Sequence, residues 1–197
     1  MEDTVYGCKC SPSLCDTSTN SPHKVAFAPQ AAKASNCQYF AASSSRIQSS
    51  GIAVLLLENP SDSETIFYVT IESVSNYGPD AVTAYLAGNP DLSDVKCCDV
   101  PIFQTNLGCS SPSAAKVRQA GTHVSVLCMS ELLTQDIIAP LSTLRIDHQG
   151  GFVVTPGSTL AVAAAGLYQL CPSKAPPALL DVGIDLRWWE TPCNSHS

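Results

Sequence analysis

The sequence predicts an all-β protein, an antiparallel jelly-roll β-sandwich of about eight strands with an extended N-terminal arm. Three observations predict it. Apolar residues recur at every second position in short segments after about residue 38. Clusters of Gly, Pro, Asn and Ser separate those segments, and no convincing helical period competes with them. At 197 residues the chain suits one sizeable core with extensions, divided into an arm over 1–35 and a sandwich over 36–197.

The elements follow in order. Ile52 to Leu57 is an apolar run closed by Glu58-Asn59-Pro60, which suits a strand buried on both faces and stopped by a turn. From Thr65 to Ser73, Phe67, Val69 and Ile71 point one way while Tyr68, Thr70 and Glu72 point the other. Val82, Ala84 and Leu86 repeat the pattern before Gly88-Asn89-Pro90, and Val124, Val126 and Cys128 repeat it within His123 to Met129. Ser130 to Ile138 fits either a helical turn or the start of a strand. Leu144 and Ile146 alternate until Gly150-Gly151 breaks the run; Phe152 and Val154 resume it, Pro156-Gly157 turns it, and Leu160, Val162 and Ala164 continue. Ile184, Leu186 and Trp188 alternate with Asp185, Arg187 and Trp189 in the last strand.

Residues 1 to about 35 are rich in Ser, Thr, Pro, Asn and Cys, with Val25-Ala26-Phe27 as their only extended apolar segment. So few apolar groups cannot offset the entropy of ordering, so an arm without its own fold is expected. Cys8, Cys10 and Cys15 give that arm a use as a crosslinker, since free thiols on an idle tail are a liability.

Composition narrows the partners. Charged residues make up 14% of the chain, well under the roughly 25% of an average soluble domain, so little charge keeps copies apart. With a formal net charge of −7 and no run of Lys or Arg, neither nucleic acid nor an anionic membrane is an expected partner. The longest apolar stretches, Ile52 to Leu57 and Leu160 to Ala165, fall far below the ~18–20 residues that span a bilayer. The start Met1-Glu2-Asp3-Thr4 lacks the basic and apolar regions of a secretory signal.

Ten cysteines require disulfides, a metal or a redox site. No paired C-x-x-C knuckle is present, so disulfides and an oxidising final location are the better reading, with a metal at Cys8, Cys10 and Cys15 as the lesser alternative. Adjacent cysteines on a strand face opposite sides, so Cys97 and Cys98 reach two different partners. Either one leaves the subunit, or both close internal bridges, for example to Cys109 and Cys171. Cys128, alternating with core positions, reads as a buried thiol or an internal bridge. Trp188 and Trp189 place one indole inside and one outside, and the outer one is a candidate subunit contact.

Catalytic chemistry finds no pattern here. There is no G-x-S-x-G elbow, no phosphate-binding glycine loop and no calcium loop around Asp62 and Glu64 or Asp91 and Asp94. His23, His123, His148 and His196 read as ordinary surface or turn residues. The chain is therefore expected to be no enzyme and to need no cofactor or resident metal.

The closely spaced arm cysteines ahead of a sandwich, with Asp147-His148-Gln149-Gly150-Gly151-Phe152-Val153-Val154-Thr155-Pro156-Gly157, Leu57-Glu58-Asn59-Pro60-Ser61 and Trp188-Trp189-Glu190, resemble a known group. They are similar to the fibre subunits of bacterial endospore appendages and to a jelly-roll family of spore-forming Firmicutes. The resemblance implies a homo-oligomer, copies of one chain in a helical or linear fibre, joined by sheet augmentation and arm insertion. Cys8, Cys10 and Cys15 would be the donor thiols, and Cys97, Cys98 and Cys109 candidate partners on the neighbouring sandwich. It also implies synthesis in the mother cell without a signal peptide and a final place outside the cell or on the spore surface. Lys9 separates two cysteines that such connectors carry side by side, a departure from the family's pattern that leaves the exact partners open. The competing expectations are a closed, capsid-like or adhesive-tip jelly roll, and a jelly roll that binds a small ligand or carbohydrate.

Overall fold

Residues 33–91, 95–122, 131–166 and 179–193 are described in a computed structural model of the chain. Twelve strands run through them: β1 Tyr39–Ser43, β2 Ile47–Ser49, β3 Ile52–Glu58, β4 Thr65–Asn76, β5 Val82–Gly88, β6 Cys98–Asp99, β7 Ile102–Gln104, β8 Lys116–Thr122, β9 Glu131–Ile138, β10 Ser142–Val154, β11 Thr159–Gly166 and β12 Leu180–Pro192. One antiparallel sheet has the order β10-β4-β12-β1-β7, with β2 also on β12; the other runs β6-β8-β3-β11-β5-β9.

If β1 and β2 are taken as one interrupted strand and β6 to β8 are set aside, eight strand positions remain. They lie 1-8-3-6 in the first sheet and 2-7-4-5 in the second, which is the double Greek key of a jelly roll. The strand count exceeds the expected eight because the connection from β5 to β9 adds β6, β7 and β8 to the sheet edges. Strands of two or three residues are too short to show a period in sequence. The expected strand His123 to Met129, with Cys128, lies outside the described residues, as does the arm through residue 32.

Facing side chains of the two sheets fill the core: Leu55 and Leu57 of β3, Leu86 of β5 and Val162 of β11 against Phe67 and Val69 of β4 and Ile184, Leu186 and Trp188 of β12. A second apolar layer on the outer side of the other sheet contains Ile52, Val54 and Leu56 with Ala161, Ala163 and Ala165. β3 is thus buried on both faces, as its unbroken apolar run predicts.

Two alternations break where strands bulge. Between Trp188 and Arg187 the pairing of β12 steps from Val69 to Ile71, so Thr70 is the extra residue of β4. Its buried hydroxyl donates to the Arg187 carbonyl at 3.0 Å and hydrogen-bonds the Tyr39 hydroxyl at 2.8 Å. Beyond the bulge Glu72 lies inward with Val74, a correction to the uninterrupted alternation expected from Thr65 to Ser73. The Gly150-Gly151 break is likewise no strand end: β10 runs through it with a bulge between Asp147 and Phe152. Ser130 to Ile138 resolves as the strand β9, an edge strand whose partner is β5.

Candidate functional site at the cysteine-bearing edge

β6 and β9 are the two edges of one sheet, and they are unlike. β6 is two residues long, and both Cys98 and Asp99 are exposed. Cys98 lies opposite Gln119 of β8, and its sulfur is a free thiol. Its neighbour Cys97 is half-buried and packs against the outer apolar layer, with Sγ 3.7 Å from the Val95 carbonyl. Burial pushes the Cys97 thiol up, more than the nearby Arg118 guanidinium pulls it down, which disfavours its thiolate. Cys193, at the end of β12, is a third free thiol among the described residues.

Cys109 was expected among the thiols that leave the subunit, and here the structure corrects the expectation. It is bonded to Cys37 within the chain, with Cα atoms 5.6 Å apart and a sequence separation of 72. Around this bridge the Cys37 carbonyl accepts from Gln104 Nε2 at 3.3 Å, and Asn106 Nδ2 donates to the Ala34 carbonyl at 3.3 Å. The disulfide therefore fastens the start of the described chain to the loop after β7. Cys8, Cys10 and Cys15 lie outside the described residues.

Beside β6 the chain crosses from one sheet to the other at Val100 and Pro101, and an open groove of about 450 Å³ lies along the crossing. Phe40, Val100, Ile102 and Val117 give it apolar walls, and Asp99 and Gln104 give it polar ones. The wall over 111–115 is held by Glu190, whose carboxylate accepts from Ser113 Oγ and from the Ala114 amide at 3.1 Å. Trp188 Nε1 donates to the same carboxylate at 3.1 Å. A groove with mixed lining and a sheet edge at its side fits an extended peptide better than a compact ligand.

At the opposite edge β9 exposes Leu132, Leu133 and Ile137, the last at 69%. Among the described residues, β9 has β5 on one side and no strand on the other. An exposed apolar edge strand is a template for pairing with another chain.

The tryptophans divide as alternation requires. Trp189 is half-buried and stacks on Tyr68 across the strand pair, ring centroids 5.5 Å apart. Trp188 is fully buried beside Phe40, so the subunit-contact role expected of either indole is corrected for Trp188: it is a core residue.

No family model, no curated protein and no solved structure matches this chain. On the outer face of the first sheet a depression of about 220 Å³ holds Phe103, Arg145 and Arg187, which is small beside the ~300–1,000 Å³ of most small-molecule sites. Among the described residues no group of three His, Cys, Asp or Glu side chains is placed to hold a metal ion. No helix of the described residues is long and apolar enough to cross a membrane. Sequence reading passed over one pair entirely: Glu72 and His148 meet inside the sandwich, 3.4 Å apart. The spacing of the two residues offered no signal for it.

Proposed function

We propose that the protein is a structural subunit that self-assembles into a disulfide-crosslinked fibre outside the cell, of the endospore-appendage kind, through sheet augmentation and insertion of its N-terminal arm. The observation that supports this reading is a single sheet with two unlike edges. One carries the exposed Cys98 thiol beside an open groove, and the other is a strand with exposed Leu132, Leu133 and Ile137 and without an outer partner among the described residues. A contact between unlike edges is heterologous, so it propagates as an open array unless its rotation closes a ring.

In this reading an arm thiol of Cys8, Cys10 or Cys15 joins Cys98 of a neighbour. The two thiols lose two protons and two electrons to dioxygen, giving hydrogen peroxide, or to a small disulfide, giving two thiols. The bridge makes the contact resistant to dilution and denaturant.

Negative-stain electron microscopy of the full chain, a chain lacking residues 1–22, and Cys98→Ser, each with and without reductant, tests the reading. Fibres are expected from the full chain and from Cys98→Ser but not from the chain lacking residues 1–22, and reductant should make those of the full chain sensitive to denaturant. Cys98→Ser should yield fibres that fall apart in denaturant without reductant. Monodisperse monomers or closed rings, indifferent to the arm, would overturn the fibre reading in favour of a closed assembly.

A further inference from the structure

The side of the sandwich away from the cysteines is closed by β10 of the first sheet and β9 of the second, and a titratable pair lies beneath them. Glu72 sits opposite Leu186 of β12 and Ile146 of β10, turned inward by the bulge at Thr70. Its side chain is 5% exposed, that of His148 is 9% exposed, and Glu72 Oε2 lies 3.4 Å from His148 Nε2. Neither of these atoms has a hydrogen-bond partner. The His148 ring is fixed by the edge of Phe152, centroids 4.6 Å apart.

We infer that Glu72 and His148 act as one proton-holding clamp inside the β9/β10 side of the sandwich, and that loss of the shared proton on alkalinisation loosens that side. A single proton between Oε2 and Nε2 closes both orphan atoms at once, whichever of the two carries it. Without it the carboxylate is buried as a charge, and a neutral imidazole can donate at most one Nε2–H to it, which is costly for a carboxylate held away from water. With a second proton the imidazolium has a neutral acid as its partner, and its charge is buried uncompensated.

The surroundings favour the singly protonated pair. Burial, reinforced by Asp136 of β9, raises Glu72 from 4.5 to about 7. Burial lowers His148 below its usual 6.5, against an upward pull from Asp147. The cross-strand neighbours of Glu72 are apolar, Leu186 on β12 and Ile146 on β10. Arg145 and Arg187 lie on the outer face of the sheet. The folded state therefore holds the Glu72 proton more tightly than the unfolded chain does. Stability falls as pH climbs from about 4.5 and levels off above about 7. The His148 limb has the opposite sign, and stability falls as pH drops below 6.5. Among the described residues β9 and β10 are also the long edge strands without an outer partner, so the pair would set how firmly those edges are held; that consequence rests on the assembly reading, and the clamp itself does not.

Hydrogen exchange of the full chain from pH 5.5 to 8.5, corrected for the intrinsic pH dependence of exchange, tests the inference. Below pH 6.5 the two limbs offset each other, so protection of β9 and β10 amides is expected to fall about threefold between pH 6.5 and 8.5, and protection in β3 and β11 less. Glu72→Gln keeps the shape and removes the titration, so its profile should be flat on the alkaline limb whatever its absolute stability. A wild-type profile as flat as that, or a variant with the wild-type slope, overturns the clamp. Carboxyl carbon NMR of the unmodified chain is a second readout that needs no variant. A Glu72 midpoint near 7 is expected, and a midpoint below 5 overturns it.

Discussion

Replacing Trp188 by alanine is expected to cost the fold about 3–5 kcal/mol, the range for removing a large aromatic from a well-packed core. The indole is fully buried on β12, where the two sheets face each other, and its ring centroid lies 6.1 Å from that of Phe40 on β1. The loss has a second component. Indole Nε1 donates to Glu190 at 3.1 Å, and that carboxylate also receives the Ala114 amide and holds the wall of the groove. Trp188→Phe separates the two contributions: it keeps most of the volume and loses the hydrogen bond, so about 1.5–3 kcal/mol is expected. Guanidinium unfolding of each variant, with the slope checked for constancy, measures both. A cost below about 1 kcal/mol for Trp188→Ala would contradict the inward placement of the indole and restore it as a surface contact.

Removing the Cys37–Cys109 bridge is expected to cost about 4 kcal/mol, from the chain entropy released when a loop of 72 residues is opened. The double variant Cys37→Ser/Cys109→Ser is the right test, because a single replacement leaves a thiol free to mispair with Cys98. Cys37 also has a φ of 57°, a left-handed conformation that residues with a Cβ hold only where their surroundings impose it. The amides of Cys37 and Gln38 donate to the Ala34 and Lys33 carbonyls at 3.1 and 2.9 Å, so part of the turn would survive loss of the bridge. For a chain of this size, 4 kcal/mol corresponds to a fall in Tm of roughly 8–16 °C, read by calorimetry. A fall of only a degree or two would mean that non-covalent contacts already fix the loop after β7 to β1.

The unlike edges and the buried pair differ in how far the sequence announces them. Leu132, Leu133 and Ile137 are visible as apolar residues, and Cys98 as one of two adjacent thiols. That β9 and β6 are the two edges of one sheet among the described residues follows from strand order alone. His148 next to Gly150-Gly151 reads as a turn residue, and Glu72 reads as outward by simple alternation. A one-residue bulge at Thr70 reverses that orientation, and the pairing of β4 with β10 places the two side chains together across 76 positions of sequence.

What the sequence by itself determined is everything that depends on local period and composition. Alternation in β5 and β12, the unbroken apolar run of β3 and the Gly/Pro turns between them sufficed for an all-β sandwich, because side-chain period and turn chemistry act within a few residues. Tertiary structure alone decided the partner of Cys109, the depth of Trp188, the extra strands β6 to β8 and the meeting of Glu72 with His148. Each depends on register between distant strands, where one extra residue in a bulge turns a side chain from solvent into the core.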